Sequence, residues 1–208
     1  MKGLIGKKLG MTQVWDTDGR CIPVTVLELG PCPIVQVKSE ARDGYSAVQI
    51  GFSPQKPQRL DKSAVTRFSK AGVEPCRILR EVELDEGAAP EAGQVLDVGL
   101  FEGVKFVDIQ GITRGRGFAG VMRRFGFSGG RMTHGGHAKR RPGSIGSRAG
   151  MVDKGKKLPG QMGSVKRTTQ NLEVVQVRKD DNLLLVHGAV PGPVGGTVYV
   201  TKALKKKG

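Results

Sequence analysis

One stretch limits what this chain can become. Between Gly111 and Thr169, 59 residues hold 14 Lys and Arg against one acid, Asp153, together with 15 of the 32 glycines. Branched aliphatic residues are few there, so the stretch cannot bury enough apolar surface to offset the entropy of ordering itself. A polyanionic partner is expected to supply the order. The other 149 residues carry 20 Lys and Arg against 18 acids and are close to neutral. A body of that length buries about two-thirds of its unfolded surface, which predicts one independent core outside the basic stretch.

A formal charge of +15 and a pI near 10.1 restrict the partners to nucleic acid, an anionic membrane surface or an acidic protein. Membrane is disfavoured: the chain has no run of eighteen apolar residues, no signal-peptide core behind Met1-Lys2 and no basic amphipathic helix with a strong apolar face. A soluble, intracellular chain is expected. Cys21, Cys32 and Cys76 are odd in number and include no Cys-x-x-Cys pair, so they are expected to be reduced, buried small hydrophobes.

The near-neutral part reads as short strands. Residues 1–15 suggest strand, turn and strand, and Asp16 to Gly19 a turn. Residues 21–29, 34–38, 45–52, 76–84, 94–101, 105–113, 172–178, 182–190 and 197–202 are rich in β-branched and aliphatic residues. Turns fall at Asp43-Gly44 and at Asp85 to Gly93. One helix is expected at about 63–72, with Ser63 as N-cap and Gly72 as its stop. Nine or more short strands argue for a closed or nearly closed antiparallel barrel. Residues 1–110 and 170–208 would form this body, and 111–169 would be an excursion from it. A body of this size has a radius of gyration of roughly 15 Å, whereas each leg of the excursion could reach ~95 Å if extended. The tail from Lys205 reads as a frayed basic end.

Within the excursion, Gly115, Gly117 and Gly120 give the spacing of a dinucleotide fingerprint, but the strand-turn-helix context and the acid about 20 residues on are missing. The other reading is that glycine lets backbone lie against phosphates while Arg114 and Arg116 neutralise them, with 118–125 forming a short helix that presents Arg123 and Arg124. His134 and His137 lack a credible third metal ligand, so no metal is expected. Lys139, Arg140, Arg141 and Arg148 surround Pro142 and Ser144, and Lys154, Lys156 and Lys157 lead into Gly160-Gln161-Met162-Gly163. Arginine and histidine stack on bases, lysine neutralises phosphate, and glycine turns where a side chain would collide. No carboxylate pair, Ser-His-Asp set or activated cysteine appears there, and neither catalytic residues nor a cofactor are expected.

These residues also carry a family resemblance. MKGLIGKKLGMTQVW, DGYSAVQIGF, GITRGRGFAGVMRRFGF, HGGHAKRRPGSIGS, KGKKLPGQMG and NLLLVHGAVPGPVGG, in that order over almost the whole chain, resemble the bacterial large-ribosomal-subunit protein L three family. The resemblance implies a mainly β fold: a translation-protein type antiparallel β-barrel with one or two short helices and a long, basic, glycine-rich irregular extension. It implies a structural constituent of the cytoplasmic ribosome that binds large-subunit (23S) rRNA, nucleates early assembly and sends the extension toward the peptidyl transferase centre. L fourteen and L nineteen would be its neighbours. Gln161 matches a glutamine that many members carry as N5-methylglutamine, so a glutamine methyltransferase is a further implied partner. The rRNA-binding set then comprises Lys7, Lys8, Arg114, Arg116, Arg123, Arg124, Arg131, His134, His137, Lys139, Arg140, Arg141, Arg148, Lys154, Lys156, Lys157, Lys166 and Arg167. The chain departs from the common family pattern at Phe125-Gly126, Ala149-Gly150-Met151 and Leu158-Pro159.

Two readings from other classes remain at this stage, an RNA-modifying enzyme using His134 or His137 and a free barrel-type nucleic-acid-binding module. The division into body and excursion is testable by limited proteolysis without RNA. Trypsin is expected to cut first at sites such as Arg123, Arg140 or Lys156 and to leave a resistant two-piece barrel. Early cleavage throughout the strands would sink the division.

Overall fold

Alternating β-branched and aliphatic residues make strands whose one face can be buried, and strands dominate the result. The computed structural model describes residues 1–84, 90–146 and 150–206. These fall into two compact units, one of residues 1–112 with 166 onward and one of Thr113–Val165. In chain order the elements are β1 (Gly3–Trp15), β2 (Cys21–Leu29), β3 (Cys32–Lys38), α1 (Glu40–Asp43), β4 (Ala47–Pro54), α2 (Lys62–Ala71), β5 (Cys76–Glu83), β6 (Val95–Leu96), β7 (Phe106–Ile112), β8 (Phe118–Ala119), α3 (Val121–Phe125), β9 (Gly160–Gln161), β10 (Lys166–Arg178), β11 (Leu183–His187) and β12 (Thr197–Lys202). The larger unit holds a closed six-stranded barrel in the order β1-β12-β7-β10-β11-β2 and a four-stranded sheet in the order β5-β4-β3-β6. The strands expected in a single barrel are thus divided between a barrel and a sheet.

One core joins the two. Leu4, Ile5, Leu27, Leu29, Val107, Ile109, Leu184, Val186, Val198 and Val200 from the barrel pack in the same buried cluster as Ile34, Val48 and Ile50 from the sheet. Fully burying such side chains stabilises by about 1.5–3 kcal/mol each. A smaller cluster under α2 gathers Phe68, Val35 and Cys76.

Several local expectations change for identifiable reasons. Residues 3–15 form one strand rather than two, because the pairing of β1 with β2 shifts register between Lys8, opposite Leu27, and Gly10, opposite Val26, and absorbs Leu9 as the extra residue of a bulge. Helix α2 starts after Asp61, not Ser63. Asp61 has the extended backbone of an N-cap, and its carbonyl accepts the first helical bond from Val65 N–H at 3.0 Å. Gly72, left-handed at φ 65°, ends the helix as expected. Asp43-Gly44 is the end of a helical turn, α1. The expected strand at 94–101 shortens to β6 and a 3-10 turn over Val98–Phe101, because the Asp97 carboxylate accepts from Gly99 N–H at 3.0 Å and caps the turn. β10 begins six residues before the expected start: the polar residues Lys166 to Thr169 pair with Ile109 to Ile112 of β7 and need no apolar face to do so. Most of the expected turn at Asp85 to Gly93, and the last two residues, lie outside the described residues.

Cys21 is exposed, contrary to expectation, while Cys32 and Cys76 are buried. Burial pushes the Cys32 thiol up to about 12 and raises Cys76 as well, so both stay protonated and unreactive. Among the described residues, no helix is long and apolar enough to cross a membrane.

Three polar side chains are buried among the described residues, Lys8, Thr25 and Asp108, and each is satisfied. Thr25 donates to the Gly188 carbonyl at 2.6 Å. Asp108 on β7 accepts from Asn171 N–H at 2.8 Å, at the point where β10 shifts register against β7 and Asn171 turns left-handed at φ 56°. The carboxylate therefore pins a bulge whose amide has left the ladder. Asp108→Ala would leave that amide unsatisfied and is expected to cost about 1–3 kcal/mol. Urea unfolding followed by far-UV circular dichroism measures it; an unchanged midpoint would mean that the bulge holds without the carboxylate.

Candidate nucleic-acid interface

The smaller unit, Thr113–Val165, starts as two antiparallel legs. Thr113 N–H donates to Val165 carbonyl at 2.9 Å and Ser164 N–H to Thr113 carbonyl at 3.1 Å. Arg116 N–H donates to Met162 carbonyl and Met162 N–H to Gly117 carbonyl, both at 2.9 Å. The legs then pair as β8 and β9, with Phe118 opposite Gln161 and Ala119 opposite Gly160. Beyond them the chain turns into α3, which Gly126 ends in a left-handed cap. Backbone makes this unit; side chains scarcely do. Among the described residues only Ala119 and Val121 are buried apolar side chains here.

Close approach of backbone requires glycine at the base of the legs, and Gly160 leaves room for a neighbouring side chain. A Cβ on Gly163, which sits at φ 74°, would lie 2.1 Å from the Arg114 carbonyl oxygen, so a side chain would force the legs apart. A Cβ on Gly160 would lie 2.7 Å from Arg124 Nη1. That space is used: Arg124 donates to the Leu158 carbonyl at 2.7 Å and lies over the Phe125 ring at 4.9 Å, with Lys157 over the same ring at 5.9 Å. Arg124 is therefore a half-buried internal tie, unlike its neighbour Arg123, which is exposed. The expected short helix over 118–125 is confined to Val121–Phe125.

Most of the expected contact residues reach solvent. Arg114, Arg116, Arg123, Arg131, Lys139, Arg140, Arg141, Lys154, Lys156 and Lys157 are exposed, as are His134 and His137. Arg148 lies outside the described residues. In the larger unit Lys7, Lys166 and Arg167 are exposed. Lys8 is different. It is 8% exposed, and its ammonium donates to the carbonyls of Val190 at 2.8 Å and Gly192 at 3.4 Å. Its charge is spent inside the protein, tying β1 to the turn before β12, so the assignment of Lys8 to an RNA surface is corrected. Among the described residues, no group of three or more His, Cys, Asp or Glu stands together as metal ligands would.

Sequence reasoning missed two features. A groove on the larger unit is lined by Lys56, Arg59 and Arg77 with Ser53 and Gln55, and no carboxylate lines it. These cations are far apart in sequence or separated by Pro57, so no charge run announces them. In the smaller unit Phe118 is 79% exposed. Its signal was available: one aromatic among arginines and glycines, with no apolar partner two residues away.

The family model described as Ribosomal protein L3 matches residues 77–189, more than half of the chain, spanning β5 to β11 and the whole smaller unit. The chain belongs to the ribosomal protein L3 family. That family is structural and not enzymatic. The chain is 46% identical to the large ribosomal subunit protein uL3 of Brachyspira pilosicoli over 209 residues, covering 100% of this chain and 96% of the relative. It is 49% identical to uL3 of Corynebacterium jeikeium, covering 99% and 95%, and 48% identical to uL3 of Syntrophotalea carbinolica, covering 98% and 99%.

Gly163→Ala tests the leg geometry. The substitution forces both a disfavoured φ and a collision with backbone, so the legs are expected to open and tryptic cleavage after Arg114 and Arg116 to accelerate. Thermal unfolding of the barrel core should be unchanged. Parental cleavage rates at both arginines would show that the legs tolerate a Cβ.

Proposed function

We propose that the chain is a structural constituent of the large subunit of the cytoplasmic ribosome, and that residues 113–165 with the adjoining Lys166 and Arg167 bind large-subunit (23S) rRNA. One observation carries this reading: a 53-residue unit with Ala119 and Val121 as its described buried apolar side chains keeps nearly all its described cations in solvent. Such a unit gains little from its own packing, and like charges oppose its compaction. Phosphates lying between the cations reverse that sign, and release of condensed counterions adds a favourable entropy. The contact set is Arg114, Arg116, Arg123, Arg131, Lys139, Arg140, Arg141, Lys154, Lys156 and Lys157, with His134 and His137 as stacking or donor groups and Lys7 on the larger unit; Arg148 belongs to the same run of sequence.

The membership of the family supports four finer proposals. The unit is directed into rRNA toward the peptidyl transferase centre, the chain nucleates early subunit assembly, and L fourteen and L nineteen are its protein neighbours. Gln161, whose side chain is exposed beside two glycines, is the site of N5-methylation by a glutamine methyltransferase. An amide has no useful pKa near neutrality, so Gln161 acts by hydrogen bonding and not as an acid or base.

If about half of the 14 cations in 111–169 meet phosphates, log K against log salt for 23S rRNA should have a slope of roughly −5 to −6, from about 0.7–0.9 per contact. Filter binding from low to moderate salt measures it. Replacing Arg140, Arg141, Lys156 and Lys157 together by Ala should flatten the slope by about 1.5 if half of the four meet phosphates and by about 3 if all do. A variant with the parental slope would refute the assignment of electrostatic binding to this unit.

A further inference from the structure

The β8–β9 pair has two unlike faces. Residues directly opposite in an antiparallel pair point to the same side, and successive residues to opposite sides. Ala119 and Gly160 therefore share one face, which is closed: Ala119 is 4% exposed, and the Arg124 guanidinium occupies the space beside Gly160. Phe118 and Gln161 share the other, which is open. Phe118 is 79% exposed, and Gln161 is exposed with one long bond from Nε2 to the Met162 carbonyl at 3.4 Å.

Phe118 also differs from the other aromatics of its unit. Phe125 and Phe127 lie 6.4 Å apart, and Phe125 is covered by Arg124 and Lys157. Among the described residues, no ring or cation contacts Phe118. An exposed aromatic face thus stands opposite an amide with unused donor and acceptor capacity, on legs that carry exposed Arg114 and Arg116.

We infer that Phe118 and Gln161 form a nucleobase subsite: an unpaired RNA base stacks on the Phe118 ring while the Gln161 amide bonds its edge. This rests on the reading of residues 113–165 as an RNA-binding unit and specifies a contact within it that is not electrostatic. The geometry fits a base in particular. Opposed side chains start about 4.5–5.5 Å apart at Cβ, so a glutamine amide reaches the rim of a ring stacked on its neighbour. Amide donor and acceptor together match the paired donor and acceptor of a base edge, and the arginines two and four residues before Phe118 take the flanking phosphates. A protein partner covering Phe118 would have to desolvate those arginines or supply carboxylates to them; a nucleotide brings the counter-charge with the ring.

The test uses the full chain and transcribed 23S rRNA. Its single tryptophan, Trp15, is exposed in the larger unit, so Trp15→Phe with Phe118→Trp leaves one indole, at the subsite. Binding is expected to quench its emission strongly, with the wild-type chain as control. Phe118→Leu keeps bulk but removes the π face, and should weaken binding roughly 5- to 150-fold, the range for loss of one base stack, at an unchanged salt slope. Phe118→Tyr should restore affinity. Combining Phe118→Leu with Gln161→Ala should lose less than the two single effects multiplied, because an unstacked base is no longer presented to the amide. Bright indole emission in the complex, with Phe118→Leu binding like the parent, would overturn the inference while leaving the salt-dependent reading intact. A loss of affinity in Phe118→Leu accompanied by a flatter slope would also overturn it, since the defect would then lie in the cations. A parent chain that binds 23S rRNA without salt dependence would overturn both.

Discussion

Antiparallel pairing of β7 with β10 brings together two stretches of chain that are more than fifty residues apart. Ile112 and Lys166 are partners in its register, as are Gly111 and Arg167, so the two ends of a 53-residue segment are held side by side by barrel strands. Closing a loop of that length costs about 3.5 kcal/mol beyond a constant. The smaller unit, with almost no buried apolar surface, could not supply that. The barrel core does: Val107 and Ile109 of β7 are fully buried between strands that close on one another. Pinning of the bulge in β10 by Asp108 belongs to the same arrangement, since it holds β10 in register beside β7.

With its ends fixed, the smaller unit is organised by backbone rather than by a core. Paired legs, a two-residue β8–β9 ladder and one turn of helix fix its course, and glycines stand where carbonyls approach too closely for a side chain, as Gly163 does against Arg114. This frees the long cationic side chains from packing duties, apart from Arg124 and Lys157 at Phe125. A scaffold of this kind presents charge densely. It suits a partner that brings both counter-charge and stacking surface, and it has little to offer a small substrate.

Cations show how far local sequence carries such an assignment. The run from Lys139 to Arg141 reads as exposed from its composition alone, and it is. Lys7 and Lys8 are adjacent and identical in type, yet one faces solvent and the other donates to Val190 and Gly192, more than 180 residues away. Strand alternation sends neighbours to opposite faces, but which face is the inside depends on the strands that close over it. Asp61 in place of Ser63 as the cap of α2 is a smaller case: both are acceptable caps, and the neighbouring turn decided where the first helical bond begins.

The mainly β body, the position of α2 to within two residues, and the contrast between a basic, glycine-rich segment and a near-neutral remainder are all legible in the chain of residues alone. Each of these follows from local pattern or composition, which act over a few residues or over the whole chain without regard to contacts. Tertiary contacts settled that six strands close a barrel while four make a separate sheet on the same core, that residues 3–15 run as one strand bulged at Leu9, that Lys8 is internal, and that Phe118 and Gln161 stand side by side. Those outcomes turn on pairings between distant residues, and a pairing is a property of two strands that neither strand's sequence contains.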